Sequence, residues 1–501
     1  MEAIIIGFQG LASDPFTFVL MVFGVFMGIF FGAIPGLTAT LGVTLMIPFT
    51  FTMTPVQGLS LLIGIYVGGI SGGLITATLI NIPGTPSSIV TCWDGYPMAK
   101  KGEPGKALSI GVFASLIGGI FSSLALFTIA PQLAKVSLIF GNWEYFSVAL
   151  MGLAIVVAMA SKDLVRGLLG ALIGLLLGAV GMDVVTGVSR MTFGSWQLQG
   201  GISVTALMMG LFAIREIMDQ TAEIHKPKQK LNVGRMSFLP PLKSMGGWVK
   251  AIGIGSVIGT GIGILPGIGQ NASTILAYDQ AKKVSKNPEL FGHGSPEGIC
   301  ASESSNNAVN GGALIPLITL GIPGDMVTAA LIGGLMIHGL QPGPLLFTQN
   351  LDIVGGIMVV YFLSNIVMYF MELGMMKAFV KMINVKLSLL FPVIIIFCIL
   401  GVFTLNNRIF DVWILVIFGI VGYVINQLGI DLAPVILGFI LGPLIERYFR
   451  TGMIAANGNF ADILNRPIAV VCLAISFLFL FYPVLSNHLE KRKAKRKARP
   501  E

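Results

Sequence analysis

The sequence predicts an all-α integral membrane protein, polytopic, built from two inverted-topology repeats whose helices are broken by Pro-Gly pairs. Three observations carry that prediction. The chain of 501 residues is 54% hydrophobic and only 11% charged, with a mean hydropathy of +0.87, whereas a soluble domain is about a quarter charged. Two pairs of Pro-Gly motifs recur in the same order in the two halves. Basic residues flank these pairs with opposite polarity.

A surface so poor in charge belongs against lipid. Apolar runs long enough to cross a bilayer occupy 16–34, 57–82, 107–130, 351–371 and 467–485. The start Met1–Ile6 has neither a basic n-region nor a small-residue cleavage site, so no removable signal peptide is expected. Cys92, Cys300, Cys398 and Cys472 stand singly, whereas a disulfide framework or metal cluster needs pairs at short spacing. The histidines are equally dispersed and no HExxH occurs, so metal catalysis has no support and no cofactor is expected.

The net charge of +8 is not a nucleic-acid footprint. Seven of the 31 basic residues lie in Lys491–Arg499 and six more in Lys226–Lys250. Both segments flank apolar spans, where Lys and Arg mark the cytoplasmic side. The longest polar stretch, Arg215 to Trp248, is too short for a folded domain. Capture of a solute outside the membrane therefore falls to another protein.

The repeat is read from its breaks. The first half contains Gly32-Ala-Ile-Pro-Gly36 and then Asn81-Ile-Pro-Gly-Thr85; the second contains Gly263-Ile-Leu-Pro-Gly267 and then Gly321-Ile-Pro-Gly-Asp325. Each second motif follows a Gly-Gly-led apolar run, at Gly72 and at Gly311. Residues 1–15 carry no Lys or Arg, while Lys100, Lys101 and Lys106 follow the second motif. In the other half the asymmetry reverses: 226–250 is basic and 338–352 carries no Lys or Arg. By the positive-inside rule the halves enter from opposite faces, as in secondary transporters.

A full trace follows. Residues 1–214 form the first membrane repeat and 250–487 the second, with a basic cytoplasmic loop 215–249 between them and a basic cytoplasmic tail 488–501. Segments 16–53 and 250–280 are traced as re-entrant hairpins. Crossings follow near 57–91, 107–130, 145–160, 164–182 and 201–214, then near 311–337, 351–373, 388–405, 410–425, 433–446 and 466–486. The N-terminus is then periplasmic and the C-terminus cytoplasmic. As a helix, 16–34 reaches about 28 Å, enough for a full crossing, and two crossings in place of a hairpin leave every other orientation unchanged.

A Pro-Gly inside a membrane segment removes an amide donor and releases carbonyls, which are tolerated around a cavity or an ion. The helix that restarts offers free N–H groups to an anion, while the released carbonyls suit a cation. Thr85-Pro86-Ser87-Ser88 reads as a helix start, and with Ser304, Asn306 and Asn307 of the polar run Ser302–Asn310 it supplies the candidate substrate-binding residues. Capping and packing account equally well for any one of these hydroxyls, and an interfacial loop is the plainer reading of 302–310. The candidate cation-binding residues are Pro35, Gly36 and Thr38 in one half and Pro266, Gly267 and Asn271 in the other, together with Asp325. An intramembrane carboxylate is functional by default and repels an anion, so Asp325 fits a cation or a proton; its plainer reading is a helix cap. Glu372 reads as structural.

Longer motifs then become recognisable. Ile82-Pro-Gly-Thr-Pro-Ser-Ser88, Trp93-Asp-Gly-Tyr-Pro-Met-Ala-Lys-Lys-Gly102, Gly263–Gly269, Lys286–Gly292, Glu303-Ser-Ser-Asn-Asn307 and Gly339–Pro344 resemble the large membrane subunit of tripartite tricarboxylate transporters, the TctA family. These motifs span roughly residues 20–350, and the remainder is similar in hydropathy. The resemblance implies a bacterial inner-membrane system that imports a carboxylate, driven by an ion gradient, usually sodium. It also implies two partners, a small four-helix membrane subunit and a periplasmic solute-binding protein.

Rival readings are weaker. Tyr278-Asp279 and Pro323-Gly-Asp325 echo an intramembrane aspartyl protease, but Ile322 stands where the Gly-x-Gly-Asp pattern needs glycine, and no Pro-Ala-Leu follows. A passive channel needs a continuous pore lining, and paired breaks suggest alternating access instead. A proton-coupled carrier remains the nearest alternative to sodium coupling, with Asp325 as its proton carrier.

Overall fold

The structure, a computed structural model, describes residues 2–160, 163–183, 185–221, 245–383, 385 and 387–481. Only the two ends of the 215–249 loop are among these, and the 488–501 tail lies outside them. The helices begin with α1 (Glu2–Ser13), α2 (Pro15–Ala33), α3 (Ala39–Thr50), α4 (Pro55–Ile80), α5 (Ile89–Lys100), α6 (Pro104–Ser137), α7 (Asn142–Ala160) and α8 (Leu164–Gly178). A short pair, α9 (Val204–Met209) and α10 (Arg215–Thr221), is joined through a π turn at Gly210–Ile214. Then come α11 (Met245–Ile264), α12 (Gly269–Val284), α13 (Pro296–Leu320), α14 (Met326–Ile337), α15 (Pro344–Gln349) and α16 (Leu351–Met382). The last are α17 (Leu387–Asn406), α18 (Ile409–Gln427), α19 (Leu432–Ala455) and an apolar helix Pro467–Phe481. Apart from these and a few 3-10 turns, the described regular structure is one short ladder, Gly181–Met182 against Ser189–Arg190.

Among the described residues, seven helices are long and apolar enough to span a bilayer: α2, α4, α6, α16, α17, α18 and α19. The protein is therefore an all-helical, multi-pass membrane protein. Some expected crossings take a different form. The stretch 57–91 is α4, then a break, a 3-10 turn Pro86–Ser88 and α5. The stretch 311–337 is the second half of α13 and then α14. The polar run 302–310, whose plainer reading was a loop, lies inside α13 and is buried. Polar side chains sit in the middle of a membrane helix where protein surrounds them on every side.

Helix starts follow local chemistry. Asp14 accepts from the Phe16 N–H with Pro15 at the first turn, and Thr54 forms a capping box with Gln57 ahead of Pro55. Ser295, ahead of Pro296, caps α13 by accepting the Gly298 N–H at 3.2 Å.

The chain divides into two compact units, Met1–Leu138 with Thr205–Tyr423, and Ile139–Val204 with Val424–Glu501. In the first, α2 packs along α4 and α11 along α13. Gly24, Gly28 and Gly32 of α2 lie against the carbonyls of Leu61, Ile65 and Gly69. In the same register Gly255, Gly259 and Gly263 of α11 lie against those of Ala301, Ser305 and Val309. A Cβ at Gly28 would stand 2.4 Å from the Ile65 oxygen, and one at Gly259 2.5 Å from that of Ser305, so only glycine permits either approach. The α4 core is wholly buried, while Leu389, Ile396 and Leu400 of α17 and Trp413 and Ile420 of α18 are exposed where lipid is the natural solvent. Asp94 of α5 fastens the loop before α13. Its Oδ1 accepts the N–H groups of Gly292 (2.9 Å), Gly294 (2.8 Å) and Ser295 (2.8 Å), and its Oδ2 accepts the Tyr278 hydroxyl at 2.8 Å.

In the second unit α8 and α19 meet through Gly174 and Gly438, which approach the carbonyls of Val435 and Ala171. Arg190 forks onto Glu446 at 2.7 and 3.0 Å, and Arg450 donates to Asp183 at 2.5 Å. The Arg450 guanidinium holds the Asp183 carboxyl well below the usual carboxylate range.

Candidate functional site

The four Pro-Gly segments are helix interruptions. The first runs from the extended Ile34 through Pro35 and Gly36, whose φ of 89° suits glycine, to Thr38, which caps α3 by accepting from the Leu41 N–H at 3.1 Å. Its counterpart runs through Pro266 and Gly267 (φ 77°) into α12. The remaining two leave their helices through left-handed residues, Asn81 (φ 58°) after α4 and Gly321 (φ 73°) after α13. Gly267 N–H donates to the Gly324 carbonyl at 2.8 Å, joining the two breaks of the second half.

The restarts at Thr85 and Asp325 differ in chemistry. Asp325 is 5% exposed and caps α14: its Oδ1 accepts the Thr328 N–H at 2.7 Å, while its own N–H donates to the Thr328 hydroxyl at 2.9 Å. Its Oδ2 receives the Tyr66 hydroxyl of α4 and the Gln270 amide of α12. Gln270 also reaches Asn310 Oδ1 at 3.3 Å. Thr85 makes no side-chain cap bond; its hydroxyl turns to Ser87 Oγ (3.0 Å) and Ser88 Oγ (2.8 Å). One helix start is closed by a carboxylate, and the other presents three buried hydroxyls beside N–H groups that no side chain caps.

Residues from the two halves meet here. Thr274 donates to the Ser87 carbonyl at 3.4 Å, Asn306 Nδ2 to the Ile70 carbonyl at 3.5 Å, and Tyr66 to Asp325. Asn306 and Asn307 are fully buried, and their Oδ1 atoms have no hydrogen-bond partner. Ser304, also buried, faces Gly255 of α11, and its carbonyl lies against Gly118 of α6, so it sits in a helix contact. Pro35 and Gly36 are half-buried, and Gly36 lies against Gln220 of α10. Pro266 is buried and Gly267 half-buried, whereas Asn271 is exposed and offers its backbone carbonyl to Thr274 at 3.0 Å. Asp279 is exposed and paired with Lys283 at 2.5 Å, so it forms no aspartyl dyad with the buried Asp325.

Sequence reasoning passed over Tyr66 and Gln270, took in Asn310 only as the end of the polar run Ser302–Asn310, and read Glu372 as structural. A tyrosine inside the glycine-flanked apolar run Ile65-Tyr-Val-Gly-Gly69 was the available signal. Gln270 carries none, because its role depends on α12 folding back along α13.

The profile of the tripartite tricarboxylate transporter TctA family matches residues 18–437. The match reaches well beyond the stretch that the quoted motifs cover. An Agrobacterium vitis protein, described as an uncharacterized 52.8 kDa protein in the TAR-I ttuC' 3' region, is 36% identical over 488 residues, 97% of each chain. A second from that organism, described as an uncharacterized protein in the TAR-II ttuC' 3' region, is 36% identical over 234 residues, 47% of this chain and 97% of its own. No solved structure matches. The chain belongs to the TctA family, the membrane transporters of the tripartite tricarboxylate class, and is not an enzyme.

Proposed function

We propose that the chain is the large membrane subunit of a secondary active carrier that imports a small carboxylate together with sodium, receiving the solute from a periplasmic binding protein. The contrast between its two restarting helices carries this reading. The Thr85, Ser87 and Ser88 hydroxyls beside N–H groups without a side-chain cap suit a carboxylate. The Asp325 carboxylate, with the carbonyls released at the breaks, suits a cation. Asn306 and Asn307 complete the anion side, and Thr38 and Asn271 the two sodium sites. Asp325 either tunes the sodium affinity or carries a proton of its own, and its buried contact with Tyr66 favours including that second reading.

The matching break geometry and glycine register of the two halves support an inverted repeat, with the N-terminus periplasmic and the C-terminus cytoplasmic in a bacterial inner membrane. The family's tripartite character supports two partners, a small four-helix membrane subunit and the binding protein. Uptake by the reconstituted three-part system tests the anion site. Thr85→Ala, Ser87→Ala, Ser88→Ala, Asn306→Ala and Asn307→Ala should each weaken apparent solute affinity with expression intact, by about 10- to 150-fold for a lost charge-assisted hydrogen bond. Unchanged affinity in all five places the site elsewhere.

A further inference from the structure

Away from the breaks, α13 and α16 each carry a glutamate that the reading above does not use. Glu303 and Glu372 are both fully buried. Thr91 of α5 donates its hydroxyl to Glu303 Oε1, and Ser115 of α6 donates to Oε2 at 3.2 Å. Ser71 of α4 donates to Glu372 Oε2 at 3.1 Å. The Asn306 side chain lies beside the Glu303 carboxyl while its amide reaches Ile70, the neighbour of Ser71. The two carboxyls are close enough to feel each other electrostatically.

Two atoms of this cluster have no partner: Glu372 Oε1 and Asn306 Oδ1. Both are acceptors, and two acceptors cannot satisfy each other without a hydrogen. No ion pair among the described residues involves either glutamate. The surrounding elements present hydroxyls from α4, α5 and α6, and the Cys92 thiol of α5 lies within electrostatic reach of Glu303. Burying an uncompensated carboxylate costs several kcal/mol. A proton removes that charge and turns one orphan acceptor into a donor. The hydroxyls already direct their hydrogens at the carboxyl oxygens, so a metal ion would have to displace them.

We propose that Glu303 and Glu372 form a proton-binding site in the membrane core, holding at least one proton when α4, α13 and α16 are packed as seen here. Opening this packing to water lets the carboxyl release that proton, so the pair can load and unload with the transport cycle. The site shares Asn306 with the anion assignment above, but the two glutamates hold their proton whether or not that assignment or the sodium one stands.

Infrared spectroscopy of the full chain in lipid nanodiscs, without solute or partners, tests it. Wild type should show a carboxylic-acid C=O band persisting at about pH 8, far above the ordinary carboxyl range. Glu303→Gln/Glu372→Gln should lose that band, and exchanging sodium for choline should leave the wild-type band unchanged. Glu372→Gln alone, isosteric with the protonated acid, should melt like wild type at neutral pH and lack the alkaline loss of stability that wild type shows. A wild-type band no larger than that of the double variant overturns the proposal. So does a band abolished by sodium, which assigns the cluster to a metal cation, or a Glu372→Gln variant destabilised equally at every pH.

Discussion

Tyr66, in the middle of α4, donates its hydroxyl to the carboxyl of Asp325, the residue that caps α14. The bond ties a helix of the first half to a break of the second. It also leaves Asp325 two jobs on separate oxygens, with Oδ1 holding the helix start and Oδ2 facing Tyr66 and Gln270. Tyr66→Phe removes this donor while keeping the ring. Interhelical hydrogen bonds in membranes average about 0.6 kcal/mol, and bonds to charged groups about 1.5–3 kcal/mol in soluble proteins. The cation concentration for half-maximal uptake should rise by about 3-fold at the lower figure and up to about 150-fold at the upper, more than the solute requirement does. An equal shift in both would remove Asp325 from the cation side.

Helix approach gives a prediction independent of transport. Gly259→Ala places a methyl 2.5 Å from the Ser305 oxygen, whereas Gly253→Ala, on the same α11, meets nothing within 4 Å. Thermal unfolding in detergent should show Gly259→Ala less stable by about 1–3 kcal/mol and Gly253→Ala close to wild type. Equal stability of the two would mean that α11 and α13 pack differently.

His338, at the end of α14 and half-buried over Gly58, is held below its ordinary value because burial disfavours its charged form. The unfolded chain then binds this proton more readily than the folded one, so stability is fully present above about pH 6.5 and is lost as pH falls below it. Melting temperature should drop with acidification, and the drop should be smaller in His338→Gln. An unchanged drop in the variant assigns it to another group.

How much of this was legible follows from where the signals are local. The breaks were readable because Pro and Gly act on their own backbone, and the capping role of Asp325 lay in the three residues after it. The Ser302–Asn310 run was harder. Its polarity argues for a loop, and only the enclosing packing of α4, α6 and α11 explains a helix there. Gln270 and Tyr66 meet Asp325 across the fold, and Glu303 meets Thr91 and Ser115 in the same way. Such pairings are fixed by tertiary contact and leave no mark in spacing.

Orientation is open to labelling. With Ser13→Cys and Lys230→Cys in turn in an otherwise cysteine-free chain, an impermeant thiol reagent added outside should modify position 13 and spare 230. Labelling of both from one face would contradict the reversed charge flanks and with them the inverted repeat.

The most direct measurement is uptake by proteoliposomes holding the chain, its small membrane partner and the binding protein, across a panel of di- and tricarboxylates, with and without an inward sodium gradient. The account predicts accumulation of at least one carboxylate that requires sodium, with Thr38→Ala and Asn271→Ala raising the sodium concentration for half-maximal uptake. Accumulation that ignores sodium and follows only the pH gradient would contradict it, removing the sodium sites at the breaks and leaving Asp325 as the leading coupling residue there.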